Sequence, residues 1–315
     1  MAISIAQINA ISTAVYDKKI KQQVYDENPL LKKLRDNDKV TIAGGDDIRF
    51  PVRIKRLGTA TDVGWDDQVT WQAIDTRTSG VLEWAVYRAE TMLRWEEDAK
   101  AQDGKQRIVN IVEEKTSELS EDMAYRLATD LFASSFTDTN KIVPIPTNVD
   151  AEDSYAGIAV ADTETDAWKA SSEDASTTKM TRAVLYEDIE GAKFGTNGPN
   201  FFITTRDLAA NYNALLGADE RYVNVKEANA GFNGPTLYGH PVLGDPYVSS
   251  GDFFGLDLDA FELFVMKGND MTVSKWVDLA PAGYPDSKGK VVKSVCNLVC
   301  RRRRTNFKLT ALTGI

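Results

Sequence analysis

The chain has 315 residues, of which 43% are hydrophobic and 27% charged, and its formal net charge is −10. This composition is typical of a folded globular protein and excludes collagen-like and coiled-coil chains. The negative net charge argues against a free DNA-binding protein, because phosphates repel such a chain at long range. The apolar runs are shorter than a membrane span, and the N-terminus lacks the pattern of an export signal, so we expect no membrane partner.

The first ninety residues predict two extended segments that have little core of their own. Residues 1–45 have some helical spacing, interrupted by a proline and closed by a glycine pair, which is typical of an extended or partly helical arm. Residues 46–90 predict a long hairpin, since two strand-like stretches flank a connection that is too long for a tight turn. Pro51, in the first of these strands, suits an edge position.

Two tryptophans, Trp65 and Trp71, lie in that connection among polar residues. An amphipathic ring of this size gains most when a partner covers it, so we expect both rings to contact another molecule. The alternative is that the rings lie under their own loop.

A long helix is predicted from Lys105 to Ser135, within the segment 91–145. Apolar residues recur there largely at a spacing of four along a charged and alanine-rich stretch, which is the pattern of a helix with one buried side. These residues are Ile108, Val112, Leu119, Met123, Leu127 and Leu131.

The segment 146–289 predicts a mixture of helices and strands. A second helix is expected near residues 179–195, and a short strand leads through Thr205, as a helix N-cap, into a third helix. Glycines and prolines then separate short apolar runs, which favours strands and turns. The chain as a whole is therefore predicted to be α+β.

The last segment, 290–315, carries seven cations and no acid, including Arg301, Arg302, Arg303 and Arg304. Its β-branched and apolar residues predict a strand, in which successive arginines would point to opposite faces. The counter-charge would come from the acidic segment 146–289, from a neighbouring copy of the chain or from an enclosed polyanion, unless the run is simply a solvated face.

The sequence holds no familiar catalytic, cofactor or metal motif, so we expect no enzyme activity, no cofactor and no metal site. The single histidine, His240, is predicted to be a turn residue, and Cys296 and Cys300 are predicted to be small apolar fillers. Two acid clusters resemble no calcium loop and are favoured as solvated loop acids. These clusters are Asp150, Glu152 and Asp153, and Asp257, Asp259 and Glu262.

The stretch TLYGHPVLGDPYV, which begins at Thr236, is followed by GDFFGLDLDAFELFV from Gly251. This sequence resembles tailed-bacteriophage major capsid proteins of the Hong Kong 97-type fold. The resemblance implies five segments in the order of that family: an N-terminal arm (1–45), an extended E-loop hairpin (46–90), a peripheral domain with a spine helix (91–145), an axial domain (146–289) and a strand returning to the peripheral domain (290–315).

The resemblance also implies a function and partners. The chain would be a structural protein that self-assembles, as hexamers and pentamers, into an icosahedral or prolate shell around phage double-stranded DNA. Its partners would include a portal protein, possible separate scaffolding or decoration proteins and non-specifically bound DNA, and it would be located in the virion capsid after assembly in the bacterial cytoplasm. The loop between Gly58 and Ser79 has no lysine, so the isopeptide crosslink of some family members is not expected.

We expect contacts between subunits at Trp65, Trp71 and Arg301 to Arg304, with packaged DNA as the second choice for the arginines. Three other interpretations stay open at this point: an encapsulin-type nanocompartment that packages protein cargo, a phage tail or neck component, and a glycosidase that uses a pair of carboxylates.

Overall fold

The computed structural model describes the following residues, except for the side chains of 105–110 and 113: 24, 28–55, 57–66, 68, 71–94, 96–97, 105–152, 154–160, 168–175, 178–216, 236–284 and 286–314. Most of the predicted arm, residues 1–23 and 25–27, lies outside the described residues. The helices, numbered in chain order, are α1 Pro29–Asp36, α2 Lys105–Leu131, α3 Ile145–Asn148, α4 Arg182–Ala192 and α5 Arg206–Leu215.

The strands in the first half of the chain are β1 Val40–Ala43, β2 Ile48–Arg53, β3 Arg77–Leu82, β4 Ala85–Leu93 and β5 Ser171–Asp174. Those in the second half are β6 Phe201–Thr204, β7 Thr236–Leu237, β8 His240–Gly244, β9 Phe253–Leu256, β10 Phe261–Met266, β11 Thr272–Val273, β12 Val277–Asp278, β13 Lys288–Cys300 and β14 Phe307–Thr310.

The chain forms two compact units, and each is built from three separate stretches of sequence. Unit 1 comprises Met1–Asp46, Glu83–Val143 and Leu263–Leu298; unit 2 comprises Asp47–Leu82, Pro144–Glu262 and Val299–Ile315.

Unit 1 contains a six-stranded sheet in which β13 is the central element. The sheet runs β1-β10-β13-β11, and both β4 and β12 also pair with β13. Strand β1 is parallel to β10, so the described end of the predicted arm belongs to this sheet. Helix α2 packs against β4, and its predicted core residues Val112, Leu119, Met123, Leu127 and Leu131 are buried. The side chain of Ile108 lies outside the described residues.

Unit 2 contains a second six-stranded sheet, of order β5-β14-β9-β6-β8-β7, and the separate hairpin β2–β3. Phenylalanines of three adjacent strands, Phe202, Phe253 and Phe307, form the centre of its core together with residues of α4 and α5. The step from β6 through Thr205 into α5 is confirmed, since the Thr205 side chain accepts a hydrogen bond from the Leu208 amide at 3.3 Å.

The predicted hairpin differs from the structure in its second strand. Residues of β3 pair with β2, but the chain leaves the hairpin at Glu83 and continues as β4, which pairs with β13. The side-chain amide of Asn297 donates to the Glu83 carbonyl at 2.7 Å, and the Trp84 indole donates to the Gly45 carbonyl at 3.0 Å. These bonds fix the turn at which the chain leaves the hairpin, so the two-stranded ribbon is shorter than the predicted 46–90.

The basic end also differs from the prediction. Strand β13 ends at Cys300, and residues 301–306 form a turn instead of continuing the strand. The Asn306 side chain donates to the carbonyls of Arg302 and Arg303 at 2.8 and 3.1 Å, and such local bonds compete with strand pairing. Val299–Ile315 belongs to unit 2, whereas β13 up to Leu298 belongs to unit 1; the return of the segment 290–315 to a peripheral domain stays a prediction.

Candidate functional site

The connection between β2 and β3 presents uncovered apolar side chains. Trp65 is fully exposed and Trp71 is 90% exposed, and Val63 and Leu57 are 71% and 48% exposed. Their own loop does not cover the two rings, so that alternative is wrong. The sequence of this connection, residues 57–76, has four aspartates and no lysine or arginine. Three of these aspartates, Asp62, Asp66 and Asp75, are exposed among the described residues, so the described part of the connection is apolar and acidic. We call residues 57–76 the Trp loop.

The base of the same hairpin is well packed. Ile48, Phe50 and Val52 alternate with exposed residues along β2 and are each buried. Pro51 lies on the exposed side of this two-stranded ribbon, which has only edges and therefore tolerates the missing amide. The hairpin is thus anchored at its base and uncovered at its tip.

The basic turn, residues 301–304, finds counter-charge in the acidic middle of its own chain. Arg301 Nε lies 2.7 Å from Glu262 Oε2, and Arg302 Nη2 lies 3.4 Å from Asp257 Oδ2. Further along, Lys308 Nζ lies 2.7 Å from Asp150 Oδ2. The prediction of solvated loop acids is therefore wrong for these carboxylates, and Asp257 is only 2% exposed. Asp153 lies outside the described residues.

The other two arginines of the turn contact rings. Arg303 has no exposed surface, and its guanidinium carbon lies 5.6 Å from the centre of the Tyr155 ring. The guanidinium carbon of Arg304 lies 4.8 Å from the centre of the Phe194 ring. Because Arg303 is enclosed by its own chain, contact with a neighbouring subunit stays a prediction for Arg301, Arg302 and Arg304.

The two cysteines lie in the interior, and the histidine lies at the start of a strand. Cys296 and Cys300 are buried, and burial raises the pKa of both thiols to about 12. His240 begins β8 directly after a tight turn, at which Tyr238 and Gly239 have φ of 52° and 80°. Within the described part of the chain, no group of three or more His, Cys, Asp or Glu side chains is arranged to hold a metal ion.

A cleft of about 570 Å³ in unit 2 holds two carboxylates, Asp207 and Asp245, beside the start of α5. Asp245 accepts a hydrogen bond from the Tyr247 amide at 2.9 Å, and burial raises its pKa. Such an Asx turn shapes the loop that follows β8.

Sequence reasoning missed the buried carboxyl of Asp188, on α4. Burial, together with the negative charges of Glu173 and Glu187, raises its pKa to about 7. No periodicity reveals this group, because Glu173 is distant in sequence.

None of the described helices has the length and hydropathy needed to cross a membrane.

No family model and no curated protein matches the sequence. Solved structures do match. The cyanophage A-1(L) capsid is 13% identical, with a TM-score of 0.65, and the match covers 87% of this chain and 90% of that one. The capsid of an empty GTA particle is 12% identical, with a TM-score of 0.56 and coverage of 89% and 96%. Mycobacterium phage Bobi is 10% identical, with a TM-score of 0.57 and coverage of 88% of each chain. This likeness is one of fold, and it confirms the α+β class and the Hong Kong 97-type fold that the sequence led us to expect.

Proposed function

We propose, from the Hong Kong 97-type fold of this chain, that it is the structural major capsid protein of a tailed bacteriophage. Copies of the chain would assemble as hexamers and pentamers into an icosahedral or prolate shell that encloses double-stranded DNA. The role is structural, and no catalytic step is assigned to any residue.

The observation that carries this proposal is the exposed Trp loop on an anchored hairpin. A ring left in water in the free chain contributes about 2 to 3 kcal/mol when a second molecule buries it. A two-stranded ribbon is marginal in water by itself, so its tip is stabilised best by lying on a neighbour. Each such contact is weak, but a closed shell repeats it in every subunit.

The partners follow from the same role. The first partner is another copy of this chain, which the Trp loop would contact. A portal protein, separate scaffolding or decoration proteins and non-specifically bound DNA are further expected partners, and the protein would be located in the virion after assembly in the host cytoplasm. The half-exposed Arg301 and Arg302 offer cations that remain near the surface for a neighbour or for phosphates.

Electron microscopy of the purified recombinant chain, with sedimentation of the same sample, tests this function. We expect hollow closed shells. Rings or tubes would favour a tail or neck component, and a stable monomer would overturn the shell role and favour the glycosidase alternative. Shells that contain a protein cargo in place of nucleic acid, judged by their absorbance ratio and by gel electrophoresis, would favour the encapsulin-type compartment.

A further inference from the structure

The base of the hairpin meets the basic turn at a single buried tyrosine. Tyr155 lies in unit 2 and is 2% exposed, and its ring is 6.4 Å from the ring of Phe50 on β2. On another side, the guanidinium of Arg303 faces the same ring. We call Phe50, Gly80, Tyr155, Ala156 and Arg303 the Tyr155 cluster.

The Arg303 end of this cluster is held by backbone carbonyls. Its Nε donates to the Asn148 carbonyl at 3.0 Å, and its Nη2 donates to the carbonyls of Thr147 and Asp150 at 3.1 and 2.6 Å. These carbonyls lie at and just beyond the end of α3, where the helix leaves acceptors without intrahelical partners. A buried cation is tolerated only when its donors are satisfied, so Arg303 and this segment fix each other.

Tyr155 begins a tight turn that reaches the hairpin directly. The amides of Tyr155 and Ile158 each donate to the other residue's carbonyl, at 3.1 and 3.0 Å, and the left-handed residues Ala156 and Gly157 lie between them. The carbonyl of Ala156 accepts a hydrogen bond from the Val81 amide of β3 at 3.0 Å. The Tyr155 hydroxyl in turn accepts from the Cys300 amide at 2.9 Å, just before the basic turn.

A glycine permits this close approach. A β-carbon at Gly80 would lie 2.7 Å from Cζ of Phe50 and 3.2 Å from Cβ of Ala156. The hairpin base therefore packs on the Tyr155 turn through both of its strands, with a ring from β2 and a backbone bond from β3.

We propose that Arg303 is a positioning residue for the Trp loop: through Tyr155 it fixes the base of the hairpin that carries Trp65 and Trp71. The planar fork of arginine is required, because a lysine ammonium cannot reach three carbonyls in this geometry while facing the ring. The inference rests on the proposed function for its consequence in assembly, but the coupling between Arg303 and the hairpin base is a property of the chain itself.

Hydrogen exchange of the full chain tests the coupling. Arg303→Lys should lower the protection of the Val81 and Ile158 amides on the order of tenfold or more, since it removes charge-assisted hydrogen bonds. The amides of β6 and β9 should keep their protection. Arg301→Lys, in the same turn but at a half-exposed ion pair, is the matched control. It should leave the protection of the Val81 and Ile158 amides and of β6 and β9 unchanged. Equal losses in β6 and β9, or no loss at Val81, would overturn the proposal.

A second variant keeps the test decisive even where Arg303→Lys fails to fold. Tyr155→Leu leaves the arginine and its carbonyl partners in place and removes the ring that lies between the guanidinium and Phe50, together with the hydroxyl that accepts from the Cys300 amide. It should give the same selective loss of protection at Val81, and an unchanged Val81 amide would overturn the proposal.

Assembly supplies a measurement that a general loss of stability would not reproduce. Arg303→Lys and Trp65→Ser should each raise the concentration needed to form shells, and the double variant should do so by less than the product of the two single effects. Independent effects multiply, so a full product would contradict positioning. If the unmodified chain forms no shells, the proposed function fails, while the exchange result still decides the coupling.

Discussion

The ring of Phe307 lies so close to the backbone of Gly255 that a β-carbon at residue 255 would lie 2.0 Å from Cε1 of the ring. Phe307 and Gly255 face each other on the paired strands β14 and β9, and the same ring stacks 6.1 Å from Phe253. We expect Gly255→Ala to lower the free energy of unfolding by about 3 kcal/mol, measured by urea denaturation, because the fully buried ring would have to move to admit the added methyl group.

Two further variants make this prediction specific. Gly191→Ala, in α4, meets no atom within 4 Å and should raise stability by about 0.5 to 1 kcal/mol, since alanine is the better helix former. Adding Phe307→Leu to Gly255→Ala should recover part of the loss. Full stability of Gly255→Ala alone would show that the ring does not hold its place.

Replacement of Trp65 and Trp71 by serine should weaken assembly without weakening the folded chain. Because both rings are exposed in the free chain, we expect the free energy of unfolding to change by less than about 0.5 kcal/mol. The concentration at which shells form, followed by light scattering, should rise at least about tenfold. Tyr284→Ser, which removes a 54% exposed ring elsewhere, is the control, and an unchanged threshold for the tryptophan variants would count against the Trp loop as a contact.

Replacing the arginines of the basic turn one at a time should change the free energy of unfolding by very different amounts. Arg301→Ala breaks a half-exposed ion pair with Glu262 and should cost at most about 1 kcal/mol of unfolding free energy. Arg303→Ala leaves three carbonyl partners unpaired in the interior and should cost about 3 kcal/mol or more. Thermal denaturation separates these outcomes, and similar values for both variants would contradict the enclosed position of Arg303.

The salt dependence of assembly tests whether Arg301 contacts a neighbouring subunit. Shells of an Arg301→Ala variant that keep their normal salt tolerance would remove the interpretation of this residue as a clamp between subunits, because a charged contact at the surface weakens as ionic strength rises.

Acidification should stabilise unit 2 through Asp188. Its pKa is raised to about 7 by burial and by Glu173 and Glu187, so between about pH 4 and 7 the folded chain binds more protons than the unfolded chain. This contribution to stability is complete at low pH and is lost as the pH rises through that window. Urea unfolding at pH 5 and pH 8 should show that the free energy of unfolding of Asp188→Asn rises relative to that of the unmodified protein as the pH rises.

The exposed acid Glu114, on α2, provides the control for this measurement. Its replacement by glutamine should leave the difference in unfolding free energy between pH 5 and pH 8 unchanged. If Asp188→Asn shows the same pH dependence as the unmodified protein, the buried carboxyl is ionised without cost and the expectation is wrong.

Sequence reasoning succeeded where the signal is local. The buried side of α2 follows from residues four apart, and the step through Thr205 follows from one capping side chain. It failed where the deciding partner is distant: the pairing of β1 with β10 joins Val40 to Leu263, and no periodicity reveals that neighbour. The four arginines are chemically identical, so only the folded chain separates the enclosed Arg303 from its half-exposed neighbours.

Because Val40 pairs with Leu263, the sheet of unit 1 cannot form until residue 263 has been synthesised. Unit 1 needs three widely separated stretches of the sequence, because β13, on which its sheet depends, is synthesised long after β1 and β4. Contacts of such long sequence separation form slowly. A nascent chain therefore displays its tryptophans well before its first sheet can close, which makes the interval between synthesis and completed folding the time at which premature association has to be avoided.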